Sequence, residues 1–265
     1  MTAPGCTILR EDTAAVANPE AGLWGNIECA ADSRHQHVLT GGDPNVRSSG
    51  TSQGNTAYRN LTVLDGDDFS GERCQLGRNE RGYGENSGTQ TSGTFALYNQ
   101  GERKITFLSM RQGAGFDANV NAWQLGYNSK QTQPYAASSP DGNAVEMQMY
   151  GGQLRLTVFW QQLADVWVTP APANGVWVRY ALDVVYSTDP AVGKTRVYVD
   201  KNGDGDALDA GEQSPTISGQ TLATDESGQP IPSHLRLGLY HNPVIPCPAP
   251  SGCQVDIDNV QVVGG

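Results

Sequence analysis

From about residue 60 onward, apolar and polar residues alternate with a period of two. Leu154, Leu156, Val158 and Trp160 share one side of a run whose other side is Gln153, Arg155, Thr157 and Phe159. Val178, Tyr180, Leu182, Val184 and Tyr186 oppose Trp177, Arg179, Ala181, Asp183 and Val185, and Thr195, Val197 and Val199 form a shorter run. Val145, Met147 and Met149 alternate with Glu146, Gln148 and Tyr150; Leu235, Leu237 and Leu239 alternate with His234, Arg236, Gly238 and Tyr240. Val255 and Ile257 extend the pattern toward the C-terminus. Successive side chains of a strand leave on opposite faces, so each run reads as a strand with one face in a core. No segment carries a helical stripe of three or more turns, and 11–23 has room for a single turn of helix. Half-buried strands separated by polar Gly/Asn/Asp loops predict an all-β fold, two antiparallel sheets packed as a sandwich. No linker or repeat interrupts the chain, which predicts one domain over 1–265, with 1–55 an N-terminal arm and the first strands.

Composition sharpens this picture. The 265 residues include 32 Gly and 15 Pro without a three-residue period, which argues for many turns. Seventeen Lys+Arg against 28 Asp+Glu leave a net charge of −11. That balance predicts no nucleic-acid partner, because nothing collects phosphates non-specifically. A local basic cleft can still oppose the global charge, so an anionic substrate remains compatible. No apolar stretch reaches the length of a membrane helix, and the expectation is a monomer with no membrane partner.

The five cysteines stand at 6, 29, 74, 247 and 253. Cys247 and Cys253 bracket PCPAPSGC, which reads as a disulfide-closed turn. Cys6 and Cys29 are placed to tie down the N-terminal arm, and Cys74, within a strand-like run, reads as a buried free thiol. Two bridges and one odd thiol suit an extracellular, secreted protein; the alternative is five reduced cysteines in a cytosolic one. The opening MTAPGCT has no leader pattern and reads as a mature chain with an added Met. Asn60-Leu61-Thr62 matches a glycosylation sequon.

Three strands carry notable polar faces. In Glu72-Arg73-Cys74-Gln75-Leu76 the alternation turns Cys74 and Leu76 inward and Arg73 and Gln75 outward. In Trp123-Gln124-Leu125-Gly126-Tyr127-Asn128 it puts Gln124, Gly126 and Asn128 on one side. In 234–240 the inward row is leucine and the outward row is His234, Arg236, Gly238 and Tyr240. Gly238 leaves a gap in that row where a ligand can approach the backbone.

VLDGDDFSGERCQLGRNE at 63–80, NAWQLGYNSKQTQPY at 121–135, GVWVRYALDVVYSTDPAVGKTRVYVDKNGDG at 175–205 and HLRLGLYHN at 234–242 resemble the polysaccharide lyases with the concanavalin-like jelly roll. That group contains heparin lyase I, alginate lyases and glucuronan lyases, and the similarity spans roughly residues 60–262. The resemblance implies a jelly-roll β-sandwich with a concave polar cleft. In the family an R-x-E strand lines the cleft, and Arg73 and Gln75 take the matching places. A Y-x-K-x-G-x-Y strand supplies a basic residue and the catalytic tyrosine; here it is His234, Arg236, Gly238 and Tyr240. The family's Q-x-H strand is matched by Gln124-Leu125-Gly126, without the histidine.

Such lyases cleave a uronic-acid polymer by β-elimination: the C5 proton leaves, the O4 glycosidic bond breaks, and an unsaturated uronyl end forms. Donors must hold the uronate carboxylate as charge spreads onto its oxygens, and Arg73, Gln75 and Gln124 have that chemistry. Tyr240 is the leading base and acid, with Arg236 favouring its phenolate. Histidine is the alternative base, from His234, His35 or His37. Asn128, Lys130, Arg236 and Arg111 are expected to bind flanking sugars.

Residues 200–212, DKNGDGDALDAGE, match the first half of a calcium loop through Asp200, Asn202, Asp204 and Asp206. The twelfth position is Gly211, so the second half departs, and a solvated hairpin turn explains the same residues. Calcium is expected at most in a structural role, with no cofactor required for catalysis. The expected partner is an acidic polysaccharide such as glucuronan, alginate or hyaluronan, since dense sulfates call for more clustered Arg and Lys. The competing readings are a non-catalytic carbohydrate-binding sandwich and a glycoside hydrolase, which needs paired carboxylates that the alternation does not supply.

Overall fold

The computed structural model describes residues 7–12, 24, 26–44, 57–69, 71–77, 97–131, 143–158, 165–204 and 207–264. Among them are the strands β1 (Thr7–Asp12), β2 (Asn26–Cys29), β3 (His35–Val38), β4 (Tyr58–Val63), β5 (Arg73–Gly77), β6 (Leu97–Tyr98), β7 (Arg103–Gln112) and β8 (Gln124–Gln131). They are followed by β9 (Asn143–Tyr150), β10 (Gln153–Val158), β11 (Asp165–Pro170), β12 (Val178–Val185), β13 (Lys194–Asp200), β14 (Ile217–Ser218), β15 (Ser233–His241) and β16 (Cys253–Gly264). A single 3-10 turn, Asp32–Arg34, is the helical element among these residues.

The strands form two antiparallel sheets. The back sheet runs β14-β13-β12-β7-β16-β4-β3, with β1 also paired to β16. The front sheet runs β11-β10-β9-β8-β15-β5-β2, with β6 also paired to β15. Alternation sets which face goes inside: in β12 Val178, Tyr180, Leu182 and Val184 are buried while the residues between them are half-buried. Leu235, Leu237 and Leu239 of β15 face these across the interior, each at most 1% exposed. Burying one such side chain contributes roughly 1.5–3 kcal/mol. The all-β sandwich expected from the alternation is the observed architecture. Trp160 and most of 11–23 lie outside the described residues.

The cysteine pairing differs from expectation. Cys247 bonds Cys253 as the Pro-rich loop predicts. Cys74 is no free thiol, however: it bonds Cys29. The two stand directly opposite each other where β2 pairs with β5, with Cα atoms 4.1 Å apart, so adjacent strands place both sulfurs on the core side. Cys6 lies outside the described residues.

Gly238 also has a different role from a ligand gap. Its φ is +141°, and a Cβ there would fall against the Cys74 carbonyl and within 2.8 Å of Gln75 Cα. Glycine is needed for close approach of β15 to β5.

Candidate active site

The outer surface of the front sheet collects polar side chains from four strands. Because its leucines take the core side, β15 sends His234, Arg236 and Tyr240 outward. Arg73 of β5 stands opposite Tyr240, and Gln75 opposite Gly238. Asn128 of β8 stands opposite Arg236, and Glu28 of β2 opposite Gln75. Most of this row is buried: Gln75 is 0% exposed, Glu28 1%, His234 and Arg236 2%, Asn128 3% and Arg73 7%. Tyr240 is half-buried.

One carboxylate organises the cations. Glu28 Oε2 accepts from Arg73 Nη1 at 3.3 Å and from Arg236 Nη1 at closer range. Charge-assisted bonds of this kind offset the cost of burying the ions and fix the guanidinium planes. Arg236 Nε donates to His234 Nε2 at 3.2 Å, which occupies that ring nitrogen's lone pair. The Arg73 guanidinium lies over the Tyr240 ring, 4.0 Å from its centroid. Trp123 packs edge-on against the same ring at 4.7 Å. A Cβ at Gly71 would come within 3.1 Å of the Tyr240 hydroxyl, so glycine leaves that oxygen its space.

Two amides in this cation-rich setting are unfinished. Neither Gln75 Nε2 nor Gln75 Oε1 has a hydrogen-bond partner, and Asn128 Oδ1 has none. An unmade bond at a buried polar group costs about 1–3 kcal/mol, and such groups mark places that a ligand or water completes. Burial pushes the hydroxyls of Tyr127, Tyr180 and Tyr186 well above the usual phenol range, which keeps them protonated.

Arg73, Gln75, Asn128, His234, Arg236 and Tyr240 are therefore brought together, as the alternation predicts. Lys130 pairs through its backbone with His234, but its side chain lies outside the description. Gln124 is not with them. Register shifts occur on both flanks of Gly126, against β9 between Leu125 and Tyr127 and against β15 between Leu237 and Tyr240. Gly126 and Tyr127 consequently both face inward: a Cβ at Gly126 would sit 3.1 Å from Met110 Sδ of the back sheet, and Tyr127 is 0% exposed. This reverses the phase, so Gln124 pairs opposite inward-facing Met149 and donates from Nε2 to the Asp117 carbonyl at 2.7 Å. It lines an internal cavity of about 20 Å³ together with Gln112 and Met110.

Arg111, His35 and His37 belong to the back sheet. Arg111 of β7 pairs with Asp256 on its outer face, and His35 and His37 of β3 stand opposite Leu61 and Arg59 of β4. None joins the Tyr240 row. Glu28 was missed by the sequence reading, which followed the alternation only from residue 60. Ile27 and Cys29 pack inward around it, and that short pattern, with the Cys29–Cys74 pairing, is the signal that finds it.

In the loop expected to hold calcium, the described side chains engage one another and Arg179. Asp200 is paired with Arg179 at 2.9 Å, and Asn202 turns its amide nitrogen toward Asp204 and Asp209. No group of three or more His, Cys, Asp or Glu there is arranged to hold a metal, and Asp206 lies outside the described residues.

No protein-family model matches the chain, and no curated protein is similar to it in sequence. Solved structures are similar in fold. Alginate lyase Aly36B superposes with a TM-score of 0.58 at 11% identity, covering 98% of this chain and 97% of the lyase. A double variant of that lyase, with a lysine and a tyrosine changed to alanine and alginate tetrasaccharide bound, gives a TM-score of 0.57 at 11% identity over 98% and 97% of the two chains. An endo-1,3-beta-glucanase from Streptomyces sioyaensis gives 0.51 at 12% identity, covering 100% of this chain and 98% of the glucanase. The chain thus resembles the jelly-roll polysaccharide lyases in fold, along nearly its whole described length.

Proposed function

We propose that the chain is a secreted polysaccharide lyase that cleaves a uronic-acid polymer by β-elimination on the outer surface of the front sheet. The observation that carries this reading is the single row of Gln75, Asn128, Arg236 and Tyr240, in which buried amides lack partners beside paired arginines. The uronate carboxylate is held by Arg236 and by the Gln75 and Asn128 amides, which take up charge as the C5 proton leaves. The ionised Tyr240 oxygen accepts that proton; the C5 electrons form the C4–C5 double bond, and the C4–O4 bond breaks. Tyr240 then returns the proton to the departing O4, which leaves the tyrosine as it began. Arg73, stacked on the ring and tied to Glu28, positions the tyrosine. His234 is the weaker base, because its Nε2 lone pair already accepts from Arg236. The fold likeness to an alginate lyase supports an acidic, unsulfated uronan as substrate, and the two disulfides support an oxidising compartment.

A glycoside hydrolase needs two carboxyl groups within about 5–10 Å. On this face Glu28 and Glu146 are four strand spacings apart, roughly 19 Å. A binding module without turnover is the second reading, favoured by Glu28 lying between the guanidiniums where a substrate carboxylate would lie.

Incubation with alginate, glucuronan and hyaluronan, followed by the ultraviolet absorbance of the unsaturated uronyl end, separates these readings. A lyase raises that absorbance, and Tyr240→Phe lowers the rate by about 10²–10⁴-fold with binding retained. Binding without any rise on all three polymers, or a fully active Tyr240→Phe, rejects the mechanism.

A further inference from the structure

The back sheet carries a second, independent surface. A groove of about 520 Å³ runs over its outer face, lined by Tyr58, Asn60, Arg111, Asn174, Gln254 and Asp256. Its polar groups are fixed before any ligand arrives. Asp256 stands opposite both Asn60 and Arg111, accepting from Asn60 Nδ2 at 2.7 Å on Oδ1 and from Arg111 Nε at 2.8 Å on Oδ2. Asn60 Oδ1 in turn accepts from Thr62 Oγ1 at 3.1 Å.

Aromatic rings flank this array. Tyr58 and Trp177 meet edge to face, 5.7 Å between centroids, and the Arg111 guanidinium lies 5.1 Å from the first ring and 4.7 Å from the second. Trp177 Nε1 donates to the Gly41 carbonyl at 3.3 Å, which anchors the indole. Neither ring belongs to the core, and both are half-buried at the surface. Tyr58 lines the groove and Trp177 braces it, and an aromatic ring beside planar amide, carboxylate and guanidinium groups suits a saccharide, whose C–H face packs on the ring while hydroxyls find donors and acceptors. The charge settles which saccharide. Arg111 is matched by Asp256, so the groove offers a polyanion no net attraction, and the chain's overall −11 opposes one.

We propose that this groove is a binding site for a neutral hexose chain, separate from the Tyr240 surface and acting whether or not that surface is catalytic. Pre-set side chains lower the ordering cost of binding. The test is calorimetric titration with cellohexaose, laminarihexaose and mannohexaose, and with mannuronate and guluronate hexasaccharides as acidic counterparts. Protein made without N-glycosylation is used, since Asn60 heads a sequon. At least one neutral hexasaccharide should bind, and Trp177→Ala and Asn60→Ala should each weaken it by about tenfold or more. Uronan turnover should be unchanged in both variants, while the melting temperature falls modestly as the Asp256 bond to Asn60 or the Gly41 bond to Trp177 is lost. Should Trp177→Ala fail to fold, Asn60→Ala carries the test alone. Absence of binding to all three neutral chains, undiminished binding in the folded variants, or binding of the acidic series only would each overturn the assignment.

Discussion

The two outer faces of the sandwich use arginine in different ways. On the back sheet three arginines each have their own aspartate: Arg111 with Asp256, Arg103 with Asp183, and Arg179 with Asp200, at 2.6–2.9 Å. On the front sheet Arg73 and Arg236 share Glu28, and the amides of Gln75 and Asn128 beside them are left incomplete. Paired one to one, charges cancel locally and the face is finished by itself. Shared two to one, Arg73 and Arg236 converge on a single carboxylate, and the amides beside them are left with hydrogen-bonding capacity unused. The first arrangement is complete within the protein; the second is the one on which the proposed uronan site rests.

The comparison breaks most easily at Glu28. Glu28→Ala removes the carboxylate shared by two buried guanidiniums and should cost about 3–5 kcal/mol in urea unfolding. Asp183→Ala, whose partner Arg103 has a side chain 52% exposed, should cost under about 1 kcal/mol. Equal losses would mean the two faces are built alike. Next in size is the covalent support. The Cys29–Cys74 bridge closes 45 residues and the Cys247–Cys253 bridge closes 6. Chain entropy then makes Cys29→Ser more destabilising than Cys247→Ser by roughly 2 kcal/mol, measured by the same unfolding.

A subtler split sharpens the contrast. Gln75→Leu removes a buried amide that has no partner, so it should raise stability by about 1 kcal/mol while uronan turnover falls sharply. Asn60→Leu, which breaks the bond to Asp256, should lower stability and spare turnover. Opposite signs at one amide on each outer face would be hard to explain if both faces were merely solvated.

The smallest effect belongs to neither face. Burial raises the Asp67 carboxyl, but hydrogen bonds from Arg34 and the Leu64 N–H outweigh it and hold the group below the usual range. A lowered folded value adds stability above the unfolded pKa near 4, which is lost as pH falls through the folded value. Asp67→Asn should therefore shrink the difference in stability between neutral and acid solution, read by melting at each pH.

The leucine row of β15 made the Tyr240 face legible from sequence, because a half-buried strand fixes its phase. The same logic failed one strand away. Gly126 adds a residue to β8 relative to β9, and a single added residue turns Gln124 from surface to interior without changing composition or spacing. Arg111, His35 and His37 show a second limit. Alternation tells which side of its own strand a residue takes, and says nothing about which sheet the strand joins. The Cys29–Cys74 pairing and Glu28 needed the β2–β5 register, a contact between segments 45 residues apart that no local pattern encodes.

Glu28 immediately precedes Cys29, and Arg73 immediately precedes Cys74. The sulfur link on the inside of the sheet therefore sets which charges meet on its outside. Pairing Cys29 elsewhere would remove the covalent link that holds β2 in this register against β5, so faithful thiol pairing supports the order of the outer charges as well as endurance.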